Sequence, residues 1–117
     1  MHAASVSTDA NGDLFVVLRG EIDFTSSPAV LQAIRAGAAR VPASDMRVDL
    51  AEVTFMDSSG ISVLVQLLNL AEERGVHVRL EHVGSKVQDQ LHMSGLSELF
   101  GLGAPSGWLA PRFDDHG

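Results

Sequence analysis

Phe55-Met56-Asp57-Ser58-Ser59-Gly60 is the segment most suited to chemistry, because two adjacent hydroxyls follow a carboxylate where an alternating apolar run gives way to a helical one. A strand-to-helix junction collects unpaired backbone N–H groups, and such a helix start suits an anion. The plain role for Asp57 or Ser58 is an N-cap, worth about 1 kcal/mol. The alternative is a hydroxyl that receives a charged group. A serine nucleophile would need a base and an oxyanion hole as well, yet no Gly-x-Ser-x-Gly elbow surrounds Ser58 and no histidine stands close to it in sequence. His2, His77, His82, His92 and His116 lack metal-ligand spacing, His77 and His82 being read as opposite faces of one strand. No P-loop or dinucleotide fingerprint occurs. Asp9, Asn11 and Asp13 begin like a calcium loop, but the glycine follows Asn11 directly and no glutamate closes the loop. The residues therefore point to no catalytic group, no metal and no cofactor.

The elements that must position this segment follow from periodicity. Ser5 to Thr8 and Leu14 to Arg19 flank Asn11-Gly12, which predicts an N-terminal hairpin with a tight turn. Thr25-Ser26-Ser27-Pro28 offers a hydroxyl cap and a first-turn proline, and Val30, Leu31, Ile34 and Ala38 repeat at helical spacing to about Ala39, with Pro42 beyond. Met46, Val48 and Leu50 alternate as a strand aimed at Asp57. From Ser59 to Arg74 the spacing predicts a helix with Ile61, Leu64, Val65, Leu68 and Ala71 on its packed face and Gly75 as a left-handed cap. Val76, Val78 and Leu80 read as a further strand, joined to the previous one by a right-handed parallel crossover. Ser85 opens a third helix carrying Val87 and Leu91, closed by Gly95. Glycines and prolines after Phe100 interrupt any regular pattern. The order predicts an α/β fold: a mixed four- to five-stranded sheet with an N-terminal hairpin and about three helices packed on one face.

At 117 residues the chain fits one domain, read as 1–117 with 101–117 an irregular C-terminal segment. Hydrophobic residues at 45% and charged residues at 20% are ordinary for a globular protein. Fifteen acidic against eight basic residues give a net charge of -7, which argues against nucleic acid as a direct partner. The absence of cysteine excludes disulfides and thiolate chemistry. Neither a signal-like start nor a bilayer-length apolar run is present, so the expectation is a cytoplasmic protein with no membrane contact. Trp108, Leu109 and Phe113 are expected to cover the exposed end of the sheet, the other use being a contact with another chain; a homodimer is compatible with the sequence.

Three motifs together resemble the STAS domains, and within them the bacterial anti-sigma factor antagonists. Gly20-Glu21-Ile22-Asp23 is similar to the family's Gly-Glu-Leu/Ile-Asp strand end, Phe55 to Ile61 to its phosphorylation motif, and Met93-Ser94-Gly95-Leu96 to the end of its third helix. They occur in the family's order, so the resemblance covers about residues 5 to 100. It implies a STAS-like fold and a non-enzymatic phosphoprotein of transcription regulation that works by partner switching. Ser58 is the implied acceptor of phosphate from an anti-sigma factor serine kinase with a histidine-kinase-like ATPase fold, reversed by a PP2C-type serine phosphatase. The implied partner-binding residues are Asp23, Asp57, Ser58, Ser59 and Gly60. The unphosphorylated form would bind the anti-sigma kinase and the phosphorylated form would release it. The competing expectation is a STAS scaffold subunit, never phosphorylated, in a transporter or signalling assembly.

Overall fold

The computed structural model describes residues 3–41 and 45–96; Pro42 and the irregular segment 101–117, with Trp108, Leu109 and Phe113, lie outside the described residues. The elements run β1 (Ala4–Thr8), β2 (Leu14–Ile22), α1 (Ser27–Ala39), β3 (Met46–Met56), α2 (Ser58–Arg74), β4 (Val78–Glu81) and α3 (Ser85–Met93). The chain forms two units, Met1–Gly84 and Ser85–Gly117.

The first unit holds a four-stranded sheet in the order β1-β2-β3-β4, with β1 antiparallel to β2 and the other two pairings parallel. The hairpin connection is longer than Asn11-Gly12 alone predicts. Thr8 pairs with Leu14, and the Asp9 carboxylate organises the loop by accepting from the N–H groups of Asn11 and Asp13, both at 2.9 Å. An Asx turn thus replaces the two-residue turn.

Sequential parallel strands need crossovers, and α1 and α2 supply them. Helix α1 packs on β1 and β2, α2 packs on β3 and β4, and the two helices touch each other, so both cover one face of the sheet. Leu14, Val16, Leu18 and Ile22 of β2 and Met46, Val48, Leu50 and Met56 of β3 are buried there against Val30, Ile34, Val63, Leu64 and Leu67. Each such aliphatic side chain contributes about 1.5 to 3 kcal/mol by leaving water. The packed stripe of α2 is rotated from its expected position. Gly60, Val63, Leu64, Leu67 and Ala71 are buried, whereas Ile61, Val65 and Leu68 sit half-buried on its flank. The helix is apolar over a wide arc, so two stripes of the same spacing compete, and contact with β3 selects the one containing Gly60.

On the opposite face Arg47 makes a bidentate pair with Glu81, both contacts at 2.9 Å, and reaches Asp9 at 2.8 Å. Its guanidinium lies over Phe15, 4.8 Å from the ring centroid. The Arg47 hydrogen bond is the main cause that lowers the pKa of both Asp9 and Glu81. This cluster joins the hairpin, β3 and β4 near the start of β3.

Gly75, with φ of 69°, closes α2 in the left-handed conformation expected of it. Val76 then belongs to this cap, its N–H bonded to the Ala71 carbonyl at 2.9 Å, so β4 starts at Val78 rather than Val76. His77 and His82 consequently flank β4 instead of lying within it. In the second unit α3 has Val87 and Leu91 as its buried positions, and the Leu96 N–H bonds to the Leu91 carbonyl at 2.8 Å.

Candidate functional site

Strand β3 is longer than its alternating segment suggests, and the reason bears directly on the site. Between Val17/Asp49 and Glu21/Phe55 the register slips twice, leaving two extra residues in β3. Each slip breaks the two-residue period that marks a strand in sequence, and the pair of them restores it, so Leu50 and Met56 are both buried. Ile22 then pairs with Met56. Asp23 and Asp57 each follow the end of a strand, on neighbouring parallel strands, and the Asp57 N–H bonds to the Ile22 carbonyl at 3.3 Å.

Asp57 is the N-cap of α2. Its Oδ1 accepts from the N–H groups of Ser59 at 2.8 Å and Gly60 at 3.3 Å. Two of the orphan donors that would favour an anion at this helix start are therefore already taken by the protein's own carboxylate. Ser58, the first helical residue, is exposed, and among the described residues its hydroxyl has no hydrogen-bond partner. Ser59 is half-buried and Gly60 is buried. A Cβ on Gly60 would lie 2.6 Å from the Ile22 carbonyl oxygen and would overlap the Met56 side chain. Only glycine lets α2 start this close to both strand ends.

Asp23 organises the neighbouring junction. Its Oδ1 accepts from Thr25 Oγ1 at 2.7 Å, Thr25 N at 3.0 Å and Ser26 N at 3.1 Å. These bonds, the Thr25 hydroxyl first, hold the carboxyl below its ordinary pKa. The expected hydroxyl cap of α1 is absent in that form. Ser26 occupies the N-cap position in a helical conformation without a capping bond, and its hydroxyl turns back to donate to the Glu21 carbonyl at 2.9 Å. The carboxylate takes the N–H groups of Thr25 and Ser26, while the Ser26 hydroxyl accepts from the Asp23 N–H at 3.0 Å.

Between the two helix starts lies an open cleft of about 450 Å³, with Ser27 and Leu31 on one side and Ser58, Ser59, Ser62 and Gln66 on the other. Ser62 and Gln66 escape a reading confined to the motif, although Ser62 lies one helical turn beyond Ser58 and Ser59 and its placement follows from that spacing. Phe24, next to Asp23, and Phe55, two residues before Asp57, are 73% and 53% exposed. The structure thus brings Asp23, Asp57, Ser58, Ser59 and Gly60 to one end of the sheet.

The STAS domain family model matches residues 5–115, and the chain belongs to that family. It is similar to the anti-sigma-B factor antagonist of Bacillus subtilis (strain 168), with 28% identity over 94 residues that span 80% of this chain and 84% of the relative. The anti-sigma F factor antagonist of Paenibacillus polymyxa is 31% identical over 88 residues, 75% of each chain. Among solved structures, an anti-sigma factor antagonist from Mycobacterium paratuberculosis superposes with a TM-score of 0.69 at 32% identity, covering 89% of this chain and 86% of that one. The resemblance drawn from the three motifs and the STAS-like fold are both borne out. Among the described residues no helix is long and apolar enough to cross a membrane.

Proposed function

We propose that this protein is an anti-sigma factor antagonist acting as a phosphorylation-controlled binding switch, with Ser58 as the acceptor. The observation that carries the reading is the exposed Ser58 hydroxyl, without a hydrogen-bond partner among the described residues, at the first position of α2, in a chain whose relatives are anti-sigma factor antagonists. The partner is an anti-sigma factor serine kinase of the histidine-kinase-like ATPase fold. It transfers the γ-phosphoryl group of ATP to Ser58 Oγ; the Oγ–P bond forms as the bond to ADP breaks, and the hydroxyl proton leaves to the kinase. A PP2C-type serine phosphatase hydrolyses the ester. The chain itself contributes a substrate hydroxyl and a docking surface, and no catalytic group.

Phosphoserine adds about -1.5 to -2 charges. The helix dipole favours that charge by about 0.3 to 1 kcal/mol. Asp57 repels a charge near -2 by about 2 to 8 kcal/mol at 4 Å, the lower figure holding in water. Because Asp57 holds the first-turn N–H groups, the phosphate stays in water above the cap. The fold tolerates it there. A docked partner does not, since covering the site would bury an unpaired dianion at a cost of several kcal/mol. A loss of about 4 kcal/mol is a thousandfold in affinity.

Incubation with the cognate kinase and ATP, followed by mass-spectrometric mapping, tests the reading. The expected product carries one phosphate on Ser58; Ser58→Ala binds the kinase and blocks transfer, and Ser58→Asp binds more weakly. Transfer to Ser59 alone removes Ser58 from its role. Binding without any transfer, and with Ser58→Asp equal to wild type, replaces the switch by a scaffold held by shape.

A further inference from the structure

The acidic, serine-lined site has two large apolar neighbours that its chemistry does not use. Phe24 and Phe55 are 73% and 53% exposed, and with Met93 they are the exposed large hydrophobic side chains of the described residues. Their positions are linked through the sheet: Phe24 follows Asp23 after the end of β2, Phe55 pairs with Glu21 in the β2–β3 ladder, and Ile22 pairs with Met56 immediately beyond. The segments that carry them, 20–28 and 51–62, contain Glu21, Asp23, Glu52 and Asp57 and neither lysine nor arginine. Glu52 is matched by Arg19 at 3.4 Å, leaving Glu21, Asp23 and Asp57 to set the local charge. Exposed aromatics within an acidic rim are the composition of an interface centre, where a few such anchors carry most of the binding free energy and surrounding charges select the partner.

Building on the proposed antagonist role, we propose that Phe24 and Phe55 are the apolar anchors of the docking surface, received by a partner protein that offers apolar pockets within a basic rim. The two phenyl rings supply affinity that is independent of the phosphorylation state, and Ser58 supplies the charge that cancels it. Phe24 and Phe55 act on how tightly the partner holds, whereas Ser58 decides when it lets go.

The test uses the 117-residue chain and the purified kinase-fold anti-sigma factors of its source, titrated calorimetrically without nucleotide hydrolysis. For the anti-sigma factor that binds, Phe24→Ser and Phe55→Thr are each expected to weaken binding about tenfold or more. Asn69→Ala, an exposed change elsewhere on α2, should stay within about threefold. Circular-dichroism melting should show the variants folded, and Phe24→Leu should recover most of the affinity. Affinities of both serine and threonine variants within about threefold of wild type overturn the proposal. Phenyl-dependent self-association in sedimentation velocity assigns the patch to a second copy and also overturns it. So does a shift in the fluorescence of Trp108, the sole tryptophan, on Phe24→Ser, since it makes the chain's own C-terminal segment the occupant. An anti-sigma factor that binds through the two rings but transfers no phosphate sinks the switch while leaving the anchors standing; binding to none removes both.

Discussion

At the end of β2 and at the end of β3 the chain begins with the same device, an aspartate whose Oδ1 accepts from the N–H groups two and three residues ahead. The junctions then diverge. After Asp23 the hydroxyls of Thr25 and Ser26 turn inward, to Asp23 itself and to the Glu21 carbonyl, and the helix starts only at Ser27. After Asp57 the helix starts at once, and the first hydroxyl points to no internal partner among the described residues. A serine next to a strand end is therefore not enough to leave an accessible hydroxyl. What matters is that the aspartate satisfies the helix start alone, which leaves the serine hydroxyl out of the structural hydrogen bonding.

The largest test of this contrast removes the close approach that holds the second junction down. Gly60→Ala would drive a methyl group into the Ile22 carbonyl, a backbone atom that cannot rotate away, and should cost about 3 kcal/mol in urea unfolding. An unchanged midpoint would mean that α2 can start further from the strands than it does here. Next, Asp57→Ala should destabilise by about 1 to 2 kcal/mol, because two N–H groups lose their acceptor. If the Ser58 hydroxyl took over as cap, the loss would vanish and the junctions would converge.

Asp23 gives a smaller effect at neutral pH but a diagnostic one in acid. Its folded-state pKa lies below the ordinary 3.8, so its stabilisation is complete above that value and is lost as pH falls through the folded-state value. Asp23→Asn should flatten the corresponding part of a stability profile measured from pH 5 downward, and a profile parallel to wild type would show that its bonds do not favour the charged form. The smallest expected effect sharpens the comparison most. Ser26→Ala loses two internal hydrogen bonds, to the Glu21 carbonyl and from the Asp23 N–H, each worth about 1 kcal/mol, whereas Ser58→Ala should change stability by less than about 0.5 kcal/mol. Equal losses in thermal melts would erase the distinction between a structural and an outward serine.

Much of this contrast was legible in the residues. The alternation from Met46 to Leu50, the helical spacing after Ser59 and a cap at Asp57 or Ser58 are local signals, and local signals survive folding; the fold chose Asp57. What lay hidden depends on neighbours. Two bulges hide the second half of β3 by breaking its period, although they are what brings Asp57 beside Asp23. The choice between two apolar stripes on α2 was made by the sheet. The inward turn of Ser26 was invisible because serine and aspartate compete for the same donors, and only the geometry of the loop decides between them.

The ionic clasp around Arg47 sits near the start of β3 and Ser58 just past its end, roughly 30 Å away at about 3.3 Å per strand residue. That is several screening lengths of about 8 Å, so a charge gained at one pole leaves the other electrostatically untouched. Asn11, exposed at the hairpin tip held by Asp9, is consequently a suitable point for a fluorescent label or surface tether: a probe fixed there would register a partner arriving or leaving without altering the event it reports.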